Sequence, residues 1–273
     1  MKKIINKIIN KIINYLLAVM LVLAFCNLLH WFYLNKTYTE EEIDAFFEPI
    51  TSKYGIKIVY EVDADFLTPW EESPIIEPIR HRVLVRNVDI LQTALERYPV
   101  QVIKKHLSVI NFAGQVTLKD GFNYGGLYNE LKSSIYLTDH GSQPHDDVIR
   151  TFHHEFSSLL LKHNSFEINQ WTDNNPRDFE YSYFTTKDLV KTFKSASAVG
   201  TEADYEKGFM DTYGQTIVEN DVNEYAAMIF TYPQKFKKIM DQHPRVRGKF
   251  LVFLEFYQNI DPIFTEEYLL GNK

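Results

Sequence analysis

The chain has 273 residues, of which 45% are hydrophobic and 24% charged, with a formal net charge of −7. That is ordinary globular composition, sufficient for one large core or two lobes, and its acidic balance argues against a nucleic-acid partner. Cys26 is the single cysteine, which excludes an intrachain disulfide framework.

Positive charge gathers at the start. Residues 1–14 carry Lys2, Lys3, Lys7 and Lys11 and no acid, and the apolar run Tyr15–Leu34 follows. About 20 apolar residues suffice to span a bilayer. A cleavable signal peptide is the rival reading, but the run continues through Asn27 and His30 into Trp31, Phe32 and Tyr33 with no small-x-small cut site. The far aromatics suit an interfacial belt and the lysines a cytoplasmic start. An uncleaved single-pass anchor is favoured, with the remainder outside the cytoplasm, periplasmic or at the cell surface. Leu23-Ala24-Phe25-Cys26 also resembles a lipoprotein processing site, although Phe25 stands where a small residue is expected. The expected division is therefore 1–35 as membrane anchor or signal segment and 36–273 as the globular domain.

Further along, Thr39 and Glu42 read as a capping box opening a helix to about Lys53. Residues Gly55–Val62 alternate like a strand. A proline-dotted loop follows to Pro78. Helical spacing returns over Val88–Tyr98 and Val100–Leu107, then Leu107–Leu118 reads as a strand region. Gly121–Leu127 reads as a hairpin or rim loop, and Ser134–Thr138 as a compact strand. Ser142, Pro144, Asp146 and Asp147 mark the start of a helix over Pro144–Lys162, since proline and acids suit a first turn. Its core face is Ile149, Phe152, Phe156 and Leu159 or Leu160. Asn164–Thr201 reads as loop-rich, with a helix near Lys187–Phe193. Thr216 and Glu219 read as a second capping box, opening a helix that Pro233 ends. Arg247–Asn259 closes the series as an amphipathic helix.

Chemistry concentrates at His153-His154-Glu155. In H-E-x-x-H on a helix, histidines four apart reach one zinc ion, and the adjacent Glu meets its bound water. With His154 as first ligand and Glu155 as base, the second ligand falls at position 158, which is Ser158. His163 lies roughly on the opposite face of an unbroken helix. His153 reads as a packing or supporting residue. Rescue of the site by His153, His163 or His145, a weak Zn2+ site, and a site without metal all stay open.

The strand Ser134–Thr138, the segment Phe152–Phe156, and the later blocks Gly208–Gly214 and Glu219–Ala227 together resemble a family of zinc-binding metallopeptidases related to the catalytic domain of anthrax lethal factor. The resemblance covers residues 130–236 best. It implies a zincin-like, gluzincin-like α+β fold, with a mixed lobe and edge strand before the active-site helix and a mainly helical lobe after it. It further implies Zn2+ held by His154 and Glu224, Glu155 as general base, and Tyr213 as a substrate- or oxyanion-stabilising group. The expected partner is a peptide or protein substrate, lying extended along Ser134–Thr138. Ser158 departs from the family pattern, so a non-catalytic peptide- or glycan-binding protein on the same scaffold is the alternative.

Overall fold

A computed structural model describes residues 15–27, 37–61, 74–118, 121–182 and 200–271. The chain divides into two units, Met1–Glu40 and Glu41–Lys273. In the first, residues 15–27 form helix α1, with Cys26 exposed. Among the described residues no helix is long and apolar enough to cross a membrane. Residues 28–34 of the expected span, and the lysine-rich start, lie outside the described residues.

The second unit opens with α2 (Glu40–Tyr54), β1 (Lys57–Val59), β2 (Ile75–Glu77), α3 (His81–Leu95), α4 (Val100–His106), β3 (Val109–Ala113) and β4 (Gln115–Thr117). Then come β5 (Asn123–Tyr124), β6 (Gly126–Asn129) and β7 (Ser134–Thr138). The remainder is helical: α5 (His145–His163), α6 (Ile168–Thr172), α7 (Glu202–Lys207), α8 (Val218–Thr231), α9 (Pro233–Gln242), α10 (Pro244–Ile260) and α11 (Glu266–Leu270). This is an α+β order: strands and three helices share the first part, and only helices follow β7. The helix expected near Lys187–Phe193 lies outside the described residues.

Four strands form one sheet in the order β1-β3-β7-β6. β1, β3 and β7 run parallel, while β6 runs antiparallel to β7 and pairs Gly126 with Leu137 and Asn129 with Ser134. The expectation that Ser134–Thr138 is the edge strand is corrected: β7 lies inside the sheet and all five of its residues are buried. A strand covered on both faces reads as a continuous run, which periodicity alone does not distinguish from an edge. The edge beside β7 is β6, whose first two residues come from the segment expected to be a hairpin or rim loop. A second sheet, β2-β4-β5, is antiparallel and takes β2 from the supposed proline-dotted loop.

The core forms where α5 packs against α8 and against strands β6 and β7. Val148, Phe152, Phe156, Leu159 and Leu160 of α5 are buried, as are Val222, Tyr225, Ala226, Ile229 and Phe230 of α8. Tyr98 stands at the junction, with its ring 4.5 Å from Phe230 and 4.9 Å from Phe156, and edge-on to Phe152 and Phe264. Fully burying each such ring contributes about 1.5–3 kcal/mol. Asp139, just past β7, takes an ion pair from Arg86 and a 2.8 Å bond from Asn87 Nδ2, both on α3. That anchors the turn into α5.

α5 begins with Asp146 and Asp147 in its first turn and ends with Lys162 and His163 in its last, each favourable to the helix dipole. The capping box expected at the start of α8 is absent. Ile217 is the cap residue without a side-chain bond, and the Thr216 hydroxyl instead donates to Tyr213 O at 2.7 Å. Glu219 is drawn to α5, where it meets Ser158 and Lys162.

Candidate functional site

Four α5 residues spaced by four, Arg150, His154, Ser158 and Lys162, face α8, because residues four apart share one side of a helix. Glu224 on α8 accepts from both of the first two: Arg150 Nη2 lies 2.8 Å from Oε2, and His154 Nδ1 lies 3.0 Å from Oε1. Glu219, more than a turn earlier, serves the next two. Ser158 Oγ donates to its Oε1 at 3.0 Å, and Lys162 Nζ to its Oε2 at 2.8 Å. Asn223 Nδ2 donates to Ser158 Oγ at 2.7 Å.

The upper half of this seam opens into a cleft of about 360 Å³. Its walls include Tyr124, Gly125 and Gly126 from the β5–β6 edge, Thr151, His154 and Glu155 from α5, and Asp211, Tyr213 and Glu224. The expected residues His154, Glu155, Tyr213 and Glu224 thus share one cleft. Tyr213 stacks on His154, with ring centroids 5.7 Å apart. Its short 3-10 turn follows α7, which ends on Gly208 at φ 89°, a left-handed conformation that favours glycine.

The charges in the cleft are strongly coupled to burial. Burial pushes the Glu155 carboxyl up to about 7; Glu219 and Glu224 add to the rise, while His154 opposes it. Burial also acts to raise Glu224, but the His154 hydrogen bond and the charges of His154 and Arg150 outweigh it and hold Glu224 below the usual carboxylate range. His154 is raised: burial disfavours its charged form, and the bond to Glu224 with the nearby carboxylates prevails. Asp211 is pushed well up by burial and by Glu224 beside it. The Tyr213 phenol is raised by burial, then by Glu155 and Glu224.

These residues do not form a fitting zinc cage. Zinc sites use four protein ligands when structural and usually three when catalytic. Among the described residues no group of three or more His, Cys, Asp or Glu side chains could hold a metal ion. At the second ligand position, the Ser158 hydroxyl is already committed to Glu219 and Asn223. The possible rescuers lie elsewhere. His153 is fully buried behind the site, with Nδ1 3.0 Å from the Tyr98 hydroxyl. His163 stacks on His106, with their Nδ1 atoms 3.2 Å apart. His145 is exposed at the first residue of α5.

Sequence reasoning missed Arg150 and Asp211. The signal for Arg150 was available, since it precedes His154 by four residues on the predicted helix and must share its face. Asp211 had none, because it sits in an irregular turn.

Close fit of the edge strand is testable. A Cβ on Gly126 would stand 2.5 Å from Thr151 Cγ2 and 2.8 Å from Glu155 Cγ. Thr151 cannot easily turn aside, because its hydroxyl bonds Asp147 O at 2.9 Å. Gly126→Ala is therefore expected to cost about 1–3 kcal/mol of stability, read as a lower urea midpoint. An unchanged midpoint would mean that β6 can lift freely from α5.

No protein-family model matches the sequence, and no curated protein matches it. Among solved structures, the fold matches a crystal structure described as a "putative zinc-binding metallo-peptidase" from Bacteroides caccae. The TM-score is 0.56 over 85% of this chain and 95% of that one, at 15% sequence identity. At this identity the likeness is one of fold: the chain shares the α+β architecture of that structure.

Proposed function

We propose that this chain is a peptide-binding protein on a metallopeptidase scaffold, holding an extended segment in the cleft between β6 and α5 without zinc-dependent cleavage. One observation carries the reading. The side chains at the positions for metal ligation are bonded to one another: His154 to Glu224, and Ser158 to Glu219 and Asn223. The cleft itself is kept, with an open strand edge that suits main-chain pairing. In the same reading the relation to the lethal-factor-like family is one of descent in fold. The segment 1–35 tethers the domain 36–273 to a membrane on its extracytoplasmic side, as a single-pass anchor or a lipoprotein.

A second reading, zinc-dependent hydrolysis of peptides, is favoured by the meeting of His154 and Glu224 beside Glu155, whose carboxyl is poised at about 7. General bases work best with a pKa near the operating pH.

One experiment separates the two. The full-length chain is mixed with a pool of unstructured fluorescent peptides, with and without micromolar zinc sulfate. Retention is followed by polarisation and cleavage by mass spectrometry. Peptide retained intact in both conditions supports the binding reading. Zinc-dependent cleavage that Glu155→Gln abolishes establishes the hydrolytic one. Neither retention nor cleavage overturns both.

A further inference from the structure

The misfit of the ligand set identifies a residue that decides what the site accepts. Glu224 is 7% exposed and offers two oxygens. One takes the imidazole of His154, and the other takes the guanidinium of Arg150 at 2.8 Å. The same Arg150 nitrogen lies 3.8 Å from Asp211 Oδ2. Arginine keeps its proton under all ordinary conditions, so this positive charge is permanent. It sits against the carboxylate that a zinc ion would need. It reaches there because it is one turn before His154 on α5, so the two side chains approach α8 from the same face.

We infer that Arg150 is the built-in cation of this cleft: it neutralises Glu224 from within the fold and keeps divalent metal out. This deepens the non-catalytic reading above and rests on it for the identity of the site. A metal drawn to Glu224 must displace the guanidinium or sit beside it. For a doubly charged ion about 4 Å from a unit charge at an effective dielectric of about 20, the repulsion corresponds to more than about a 100-fold loss in affinity. Ser158 removes a ligand, and Arg150 adds a barrier. Restoring the ligand alone therefore leaves the barrier in place.

The test is zinc binding by the full-length chain, stripped with chelator and titrated with zinc sulfate by calorimetry. The proteins compared are the wild type, Ser158→His, Arg150→Met with Ser158→His, and Arg150→Lys with Ser158→His. Thermal melting establishes that each is folded, and Arg150→Gln replaces Arg150→Met if that variant is not. The wild type is expected to take up no stoichiometric zinc. The variant combining Arg150→Met and Ser158→His is expected to bind one zinc more than about 100-fold tighter than Ser158→His alone, and to lose it on His154→Ala. Arg150→Lys keeps the charge and is expected to stay as weak as Ser158→His alone.

One zinc bound by the wild type and lost on His154→Ala would overturn the inference. So would a variant lacking Arg150 that binds no tighter than Ser158→His alone, or a lysine variant that binds as tightly as the methionine one. Peptide retention is read separately. A chain that retains no peptide, yet gains zinc only when Arg150 is removed, defeats the binding reading and leaves this inference intact.

Discussion

Replacing Asp221 with alanine is expected to destabilise the fold by about 3–5 kcal/mol, because it strands a buried ammonium. Asp221 and Lys249 are both fully buried, and Lys249 Nζ lies 2.6 Å from Asp221 Oδ2. The same oxygen accepts from Trp171 Nε1 at 2.8 Å and from the Tyr181 hydroxyl at 2.6 Å. Lys249 also stands 3.8 Å from the centre of the Phe209 ring. One carboxylate therefore ties α6, α8, α10 and the chain near Tyr181 to a single point. Removing it leaves the ammonium with aromatic faces alone, which repay only about 2 kcal/mol when desolvated. Replacing both partners, as in Asp221→Leu with Lys249→Met, should recover most of the loss, since apolar substitutes for buried ion pairs are often neutral. Equilibrium urea unfolding measures both variants. A loss under about 1 kcal/mol for Asp221→Ala would mean that water reaches the ammonium.

Acid is expected to weaken the fold through His106. Burial lowers its pKa from the usual 6.5 to about 4, with Lys105 and His163 adding to the fall. The folded form therefore binds fewer protons than the unfolded chain between those values. By linkage, its contribution is fully present above pH 6.5 and is lost as pH falls towards 4. A shift of this size corresponds to at most about 3 kcal/mol, less whatever the more exposed His163 screens. His106→Phe should flatten the dependence of the unfolding free energy on pH between 6.5 and 4. Glu155 pulls the other way. Its raised pKa of about 7 makes the fold gain stability as pH drops from 7 towards 4.5, so the comparison must be between wild type and variant. Parallel curves for the two proteins would exclude His106 as the source.

The sequence shows most of this fold where periodicity is strong. α5 and α10 lie within three residues of their expected bounds, because apolar residues recur at helical spacing and charged residues mark the ends. β6 was less legible. Gly125 and Gly126 suggest a turn locally, and only pairing with Leu137 makes that stretch a strand. Glu219 misled because a Thr-x-x-Glu pattern is equally compatible with a cap and with a partner on another helix. Of the site, His154, Glu155, Tyr213 and Glu224 share one cleft. Lys249 was hidden: it follows Val246 by three residues on the buried face of α10, where the pattern calls for an apolar side chain. Only its partner, 28 positions away, explains it.

Tyr98 also fixes which way the cleft-facing residues point. Its hydroxyl holds His153 Nδ1, and its ring packs against Phe152 and Phe156 on the side of α5 away from the opening. Neighbouring residues on a helix are set about 100° apart, so clamping His153 inward dictates the outward bearing of His154. The helix is keyed against rolling about its own axis. Whatever enters between β6 and α5 meets an imidazole already aimed, with no turning of the helix required on arrival.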